Sequence, residues 1–265
     1  MSDVLERIVA QTRAEVAHRQ ARVPLAELAH AARAADQPRP FAAALHGTGS
    51  IALIAEHKRR SPSAGTIREG VALEDVVGAY ERGGAAALSI LTEGPSFGGS
   101  LDDLRAARTA SSLPLLRKDF IVERYQLHES RAAGADAILL IVSALDAGEL
   151  HELHSEALAL GLEALVEVHD RAELTRAVQL EPRLIGINNR DLRDLSVDVS
   201  RTRELVTEVP PGTTVVSESG ISRRSQLDEL AALGVHAVLI GEALMRAPDS
   251  EAAVAALTAA PSARR

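Results

Sequence analysis

Apolar residues cluster in eight short runs along the chain, and longer amphipathic stretches separate these runs. The runs are rich in aliphatic and β-branched residues, which favours strands. Successive runs start 21 to 35 residues apart, which is enough for one strand, one loop and one helix. This alternation predicts parallel strands joined by crossover helices. The runs cover residues 51–58, 86–92, 114–121, 137–144, 163–168, 184–190, 214–219 and 237–241.

A helical pattern precedes the first run. Residues 3–20 carry apolar positions at helical spacing, and a second stretch of this kind begins at Leu25. Pro38 and Pro40 then end the helical pattern. We predict that residues 1–46 form a helical extension that packs on the rest of the chain.

Polar side chains recur where the runs end. In a closed barrel these ends all face one mouth, whereas in an open doubly wound sheet they would lie along an edge. We therefore predict an α/β fold, a (β/α)8 TIM barrel with an N-terminal helical extension, as one domain over residues 1–265. The open sheet is the alternative. The polar residues at the run ends are Glu56, Lys58, Lys118, Glu167, Asn188, Arg190, Glu218 and Ser219.

Composition narrows the possible functions. The chain has 29 Lys and Arg against 37 Asp and Glu, a net charge of −8, and aromatic residues make up only 2% of it. Bulk positive charge and stacking platforms for nucleic acid are therefore lacking, and we expect no nucleic-acid partner. Cysteine is absent, which excludes a thiolate nucleophile and a cysteine-ligated metal.

The start of the sequence lacks the basic segment and apolar core of a secretory signal. No apolar stretch is long enough to span a bilayer. We expect a cytoplasmic protein with no membrane partner, and the lack of cysteine agrees with a reducing compartment.

Glu56 and Lys58 are two residues apart at the end of the first run. Side chains at i and i+2 of a strand share a face, so a carboxylate and an ammonium converge where a loop containing Ser61 begins. Lys118 ends another apolar run. Glu167 interrupts an apolar run, where a buried carboxylate needs a partner such as Lys58 or Lys118. The pattern favours acid-base chemistry beside a polar ligand.

Two late segments are typical of anion sites. Residues 217–221 and 240–245 follow the seventh and eighth runs, where barrels commonly bind phosphate through backbone N–H groups. Neither a Walker nor a GxGxxG pattern occurs, so we expect a small phosphorylated metabolite and no nucleotide cofactor. The candidate residues are Ser219, Gly220, Gly241 and Glu242, and Ser61 and Ser63 from the first loop could complete the cup.

The histidines form no recognisable metal motif. His151 and His154 are three residues apart, whereas the HExxH motif of zinc enzymes requires a spacing of four. We therefore predict no metal site and place both side chains on the surface. His57 should point outward, between strand and helix.

Taken together, these residues resemble the indole-3-glycerol phosphate synthase family, from about the first helix to the last strand. One departure is His57, where the family usually carries an apolar residue; it affects packing more than the mouth of the barrel. The matching motifs are AEHKRRSPS at 55–63 with Gly65, LTE at 91–93, FGGS at 97–100, KDF at 118–120, VEV at 166–168, GINNRDL at 186–192, SESGIS at 217–222 and IGEALM at 240–245.

The resemblance implies a carboxy-lyase of tryptophan biosynthesis. It would convert 1-(2-carboxyphenylamino)-1-deoxyribulose 5-phosphate to indole-3-glycerol phosphate without a cofactor. Lys118 would protonate the ribulose carbonyl during ring closure. Glu167 would support ring closure, Lys58 would bind the substrate carboxylate, and Glu56 would act as the base in dehydration, although the division of these roles stays open.

The resemblance also implies how the substrate is held. Asn188 and Arg190 would orient the anthranilate end, Glu218 would complete the polar ring, and the helical extension would lie near the active site. The expected partner is this small-molecule substrate, and association with other tryptophan-pathway enzymes stays open. The remaining implied substrate-binding residues are Phe97, Phe120, Leu139 and Leu192.

Three other functions compete with this assignment. Phosphoribosylanthranilate isomerase is a similar phosphate-binding barrel, but its family uses a cysteine that this chain lacks. A non-catalytic barrel that binds a metabolite is disfavoured by the presence of Lys118, Glu56 and Glu167. A nucleic-acid-binding protein is disfavoured by the acidic charge.

Overall fold

Strands and helices alternate along the chain, for which a computed structural model describes residues 4–46, 51–192 and 194–259. The ends of the predicted domain, 1–3 and 260–265, lie outside the described residues. The strands are β1 Ala52–His57, β2 Arg60–Ser61, β3 Gly65–Thr66, β4 Ala87–Leu91, β5 Leu115–Lys118, β6 Ala137–Ile141, β7 Glu163–Val168, β8 Leu184–Asn188, β9 Thr214–Glu218 and β10 Ala237–Ile240. The helices are α1 Val4–Arg22, α2 Leu25–Ala34, α3 Phe41–Ala44, α4 Leu73–Arg82, α5 Leu101–Ala110, α6 Arg124–Ala132, α7 Ala147–Ala159, α8 Arg171–Ala177, α9 Ser200–Leu205, α10 Arg224–Ala232, α11 Glu242–Arg246 and α12 Ser250–Thr258.

Eight of the strands form a closed parallel barrel, with β2 and β3 as a separate small hairpin. Around the ring the order is β1-β10-β9-β8-β7-β6-β5-β4. The ring closes where Ala52 on β1 pairs with Ala237 on β10. The predicted TIM barrel is therefore confirmed, and the open-sheet alternative is wrong.

Alternation along each strand divides the core into two layers. Leu53 and Leu88 point outward and pack under the helices, whereas Ile54, Leu116 and Leu165 point inward and fill the barrel. All five side chains are at most 1% exposed. Burial on both faces explains why the strands read as nearly continuous apolar runs, and why a charge in one of them marks the mouth.

The N-terminal helices contact the barrel at both ends. In α1, Leu5 and Ile8 join the inner core near the mouth. At the opposite end, Phe41 of α3 and the following Leu45 are buried in the same inner core. The backbone N–H of Ala42 donates to a Glu163 carboxylate oxygen at 2.6 Å. The chain therefore runs from the mouth to the amino end of the barrel before the first strand begins.

Asp136, just before β6, is a buried junction at the amino end of the barrel. Its carboxylate accepts from both the Arg108 guanidinium at 2.8 Å and the backbone N–H of Arg39 at 2.6 Å. Its second oxygen accepts from the N–H of Leu115 at 2.7 Å. One fully buried carboxylate thus joins the N-terminal segment, α5 and the start of β5, far from the mouth.

Candidate active site

Every residue predicted from the sequence to serve the site lines one cavity at the carboxyl ends of the barrel strands. Convergence follows from barrel closure, since parallel strands present their carboxyl ends to the same mouth. The predicted residues lining it are Glu56, Lys58, Ser61, Phe97, Lys118, Phe120, Leu139, Glu167, Asn188, Arg190, Leu192, Glu218, Ser219, Gly220, Gly241 and Glu242.

Lys118 is the centre of the polar floor. Its Nζ lies 3.0 Å from an oxygen of Glu167 and also contacts the Glu218 carboxylate. The three residues come from β5, β7 and β9, so their side chains cross the inside of the barrel to meet. Of the two partners considered for Glu167 in the sequence, Lys118 is the one it contacts.

Glu167 and Glu218 share the Lys118 ammonium, but their pKa values shift in opposite directions. Burial would lower the pKa of Lys118, but attraction to Glu167 and Glu218 outweighs it and raises the pKa above the usual value. Burial alone would raise the pKa of Glu167, but Lys118 and His169 bring it well below its ordinary range. For Glu218, burial and repulsion from Glu167 exceed the pull of Lys118 and raise the pKa to about 7. Such a carboxyl can hold or release a proton at neutral pH.

A second ion pair lies beside the first. Lys58 follows directly after β1, and its Nζ is 2.7 Å from an oxygen of Glu56, as the i and i+2 spacing predicts. The other Glu56 oxygen accepts a long hydrogen bond of 3.4 Å from the Ser89 hydroxyl. Glu56 is thereby held against the barrel wall within reach of a bound ligand.

Two glycines leave space for these carboxylates. A Cβ on Gly186 of β8 would lie 2.5 Å from Oε1 of Glu218, and a Cβ on Gly241 would lie 2.4 Å from Oε1 of Glu56. Both distances are shorter than van der Waals contact. Only glycine therefore permits the observed carboxylate positions. Gly241 leaves space for Glu56 and also belongs to the predicted anion site.

An aromatic wall stands on one side of the cavity. The rings of Phe97 and Phe120 are 6.4 Å apart at their centroids and tilted by 38°. Glu93 fixes the Phe97 loop, because its carboxylate accepts from the backbone N–H groups of Ser96 and Phe97 at 2.7 and 2.9 Å. This wall suits a planar aryl group.

Backbone geometry shapes the opposite end, where the sequence predicted an anion site. Ser219 and Gly220 both have left-handed backbone angles, with φ of 66° and 78°. The Ser219 hydroxyl donates to the side-chain oxygen of Asn188 at 2.8 Å. Gly241 is the N-cap of α11, and the first turn of a helix has N–H groups without intrahelical partners. These groups can receive an anion.

The Arg190 side chain is held by its own loop. It donates to the carbonyl oxygen of Leu195 at 2.8 Å, while its backbone N–H donates to the Asn188 side-chain oxygen at 3.0 Å. Arg190 still lines the cavity. Its guanidinium is therefore held in a fixed position at the cavity wall.

Several residues of the site were missed in the sequence. Val4, Leu5 and Ile8 of α1 form an apolar part of the wall; their helical spacing predicted a buried face without saying what it covers. His169 lies behind Glu167, two residues further along the chain. The i and i+2 rule that singled out Glu56 and Lys58 also applies to this pair.

The other histidines only partly match expectation. His57 is buried beneath the helices as predicted, and burial, reinforced by Arg59, lowers its pKa to about 4. The surface placement of His154 is wrong: it is buried on the inner face of α7 with Leu150 and Leu153. Within the described ranges, no group of three or more His, Asp or Glu side chains is placed to hold a metal ion.

Comparison with known proteins identifies the family. A model of the indole-3-glycerol phosphate synthase family matches residues 5–257. The chain belongs to the indole-3-glycerol phosphate synthase family. The resemblance drawn from the motifs is therefore confirmed, as is its enzyme class, a carboxy-lyase of tryptophan biosynthesis.

Individual relatives agree with this assignment over their full length. An indole-3-glycerol phosphate synthase of Rhizorhabdus wittichii is 50% identical over 96% of this chain and 97% of its own. One from Leptothrix cholodnii is 47% identical over 98% of this chain and 100% of its own.

A mutant tryptophan synthase alpha-subunit from Pyrococcus furiosus has the same fold, with a TM-score of 0.60, 15% identity, and coverage of 78% of this chain and 97% of its own.

Proposed function

We propose that the cavity performs ring closure, decarboxylation and dehydration of 1-(2-carboxyphenylamino)-1-deoxyribulose 5-phosphate to indole-3-glycerol phosphate. The main support is the position of Lys118 Nζ, which lies between two carboxylates on the cavity floor, 3.0 Å from Glu167. A wall suited to an aryl group and an end suited to an anion lie around it. The substrate carries both groups, with its carbonyl between them.

Lys118 is the general acid in this proposal. As the aromatic carbon that bears the carboxylate attacks the ribulose carbonyl, a carbon-carbon bond forms and the carbonyl oxygen takes a proton from the ammonium. Loss of carbon dioxide then returns its bonding electrons to the ring and restores aromaticity. An ammonium held by two acids is poised at the oxygen where negative charge develops.

Dehydration completes the indole. One group removes a proton from the new ring, and a second, acidic group of the cavity gives the hydroxyl the proton with which it leaves as water; no cofactor takes part. We assign the base to Glu56 and the electrostatic support of ring closure to Glu167. Glu218, with its pKa near 7, can exchange a proton with Lys118 between the steps, and the coupled set titrates as a unit.

The remaining cavity residues hold the two ends of the substrate. Lys58 and Arg190 face the substrate carboxylate, and Asn188 fixes the loop beside it. Ser61, Gly220 and the start of α11 receive the phosphate. The other substrate-binding residues predicted from the sequence thus fall into an apolar and a polar group. The aryl ring contacts Phe97, Phe120, Leu139 and Leu192, and the phosphate contacts Ser61, Ser219, Gly220, Gly241 and the backbone of Glu242.

A direct assay tests the proposal. Adding the carboxyphenylamino sugar phosphate to the purified chain should produce the rising fluorescence of an indole, with one carbon dioxide released per indole formed. Fluorescence without carbon dioxide release, or no turnover by a folded chain, would refute the reaction.

Replacing Ser219 with alanine should raise KM for the phosphorylated substrate while kcat stays within about twofold. The lost contact holds the bound substrate and the transition state equally, and the reacting atoms are untouched. The hydroxyl has to turn from Asn188 to donate to the phosphate, where it is one hydrogen bond among several backbone donors, so about a tenfold rise is expected. Steady-state kinetics measures it. The dephosphorylated substrate is the control, and an equal loss with that substrate would contradict phosphate binding at Ser219.

The setting of the enzyme follows from the same assignment. We propose a cytoplasmic enzyme, where phosphorylated sugars are made and used, acting on a small molecule and not on nucleic acid or membrane. Among the described residues, no helix is suited by length and apolarity to cross a membrane. We also propose that residues 1–265 act as one barrel domain, with 1–46 as its extension.

A further inference from the structure

His169 contacts both a catalytic carboxylate and a second acid behind it. Its Nε2 lies 3.3 Å from Oε1 of Glu167, and its Nδ1 lies 3.0 Å from Oε2 of Glu173. The same Glu173 oxygen accepts the backbone N–H of His169 at 2.9 Å. His169 therefore has a fixed ring position between two carboxylates.

The local sequence builds this arrangement. Glu167 and His169 are two residues apart at the tip of β7, which places them on the same face. Asp170 is the N-cap of α8 and accepts the backbone N–H of Glu173 at 2.9 Å. That cap holds Glu173 in the first turn of α8, directly beneath the imidazole. The segment VEVHDRAE thus carries both the carboxylate and its support.

The surroundings favour the imidazolium form. Nδ1 is hydrogen-bonded to Glu173, and Nε2 lies at ion-pair distance from Glu167 without hydrogen-bond geometry, so a proton on both nitrogens is favoured by the two carboxylates. Burial would lower the pKa of His169, but Glu167 and Glu173 outweigh burial and raise it to about 10. His169 is only 7% exposed, so water screens these interactions weakly.

We propose that His169, held by Glu173, is a positioning residue that keeps Glu167 ionised and correctly oriented through the reaction. This proposal rests on the role given to Glu167 above. Lys118 donates to one oxygen of Glu167, and His169 lies at ion-pair distance from the other, so a cation lies on each side of the carboxylate. When Lys118 gives its proton to the substrate, Glu167 loses one cationic neighbour and keeps the other. His169 thereby keeps Glu167 from competing with the substrate for the proton that Lys118 donates.

Two substitutions separate the two contacts. His169→Asn keeps a donor near the Nδ1 position and loses the contact with Glu167, whereas His169→Gln can place its amide N–H near the Nε2 position. We expect kcat to fall about ten- to a hundredfold in His169→Asn, the range seen when a supporting residue is removed, with KM within about twofold. His169→Gln should retain more of the activity.

The pH profile gives a readout that a merely structural role would not move. Without the positive charge of His169, the pKa of Glu167 rises. Because Glu167 and Glu218 titrate as a coupled set, the whole set then takes up its first proton at higher pH, and the low-pH fall in kcat/KM should shift upward by about one pH unit. Lys118, which contacts Glu167, and Glu218, which shares that ammonium, remain in the variant. Glu173→Gln, which acts from the far side of the ring, should produce a smaller shift in the same direction.

His154→Gln is the matched control, since it also removes a buried imidazole but lies outside the cavity lining. It should leave kcat and the pH profile unchanged. Wild-type kcat and an unshifted low-pH limb in His169→Asn would overturn the proposal. If that variant does not fold, unchanged values in Glu173→Gln would overturn it.

Glu167→Gln distinguishes this inference from the proposed function. If that variant loses activity and His169→Asn does not, Glu167 keeps its role and the positioning proposal fails. If Glu167→Gln is fully active, the role given to Glu167 itself is wrong.

Discussion

Replacing Lys118 with alanine should lower kcat about 10²- to 10⁴-fold, the usual contribution of a positioned general acid. The ammonium is the donor for the carbonyl oxygen, and its loss also leaves Glu167 and Glu218 buried without the cation they share. Glu218 would then take up a proton, because burial favours its neutral form, whereas Glu167 keeps the imidazolium of His169 beside it. Indole fluorescence at saturating substrate measures the effect.

A comparison within the cavity makes this result specific. Lys58 is also paired with a carboxylate there, but it is assigned to substrate binding. Lys58→Ala should therefore act mainly on KM, whereas Lys118→Ala should act mainly on kcat. A Lys118→Ala enzyme with normal kcat and raised KM would assign Lys118 to binding instead.

Replacing Asp136 with alanine should lower the free energy of unfolding by about 3–5 kcal/mol, as expected when one partner of a buried ion pair is removed. Arg108 would lose its carboxylate, and the N–H groups of Arg39 and Leu115 would lose their acceptors. Urea denaturation followed by circular dichroism measures the change. At a temperature where the variant is folded, kcat should stay within about twofold of wild type, since Asp136 lies at the end of the barrel opposite the cavity.

Asp102→Ala is the matched control for this experiment. Asp102 also forms an ion pair with an arginine, Arg105, but its side chain is 89% exposed. Exposed ion pairs contribute little to stability, so this change should leave the unfolding curve nearly in place. Equal effects of the two substitutions would show that burial of Asp136 is not what matters.

The strands were predictable because burial on both faces leaves an unmistakable apolar run. The least accurate ends were those of the third and fourth runs, predicted at 121 and 144: β6 ends at Ile141, and β5 ends at Lys118. The next residue, Asp119, turns to bind the Arg117 guanidinium and the Thr92 hydroxyl. Apolar residues beyond it pack around the mouth without continuing the strand, and apolarity alone does not separate these two uses.

The polar side chains of the site were predictable for a related reason. A charge at the end of an apolar run has few roles other than chemistry or binding, and closure of the barrel brings such residues together. Contacts between distant elements carry no comparable signal. The spacing of Val4 and Ile8 indicates a buried helical face, but only the fold shows that this face covers the substrate cavity.

Histidines were the hardest residues to interpret, because one side chain can be a base, a cation or a packing group. His154 lies on the buried face of α7 together with Leu150, and the apolar spacing of that helix would have indicated this. His169 follows Glu167 at strand spacing. In both cases periodicity was more informative than the residue type.

Phe41 and Leu45 fill the amino end of the barrel, so among the described residues the route to the reacting atoms lies at the other end. Carbon dioxide, water and the finished indole must therefore depart through the opening by which the sugar phosphate arrived. Among the described residues, substrate entry and product release therefore share one opening. A product that lingers excludes the next substrate, and the contacts that give tight binding also set how quickly the site is vacated.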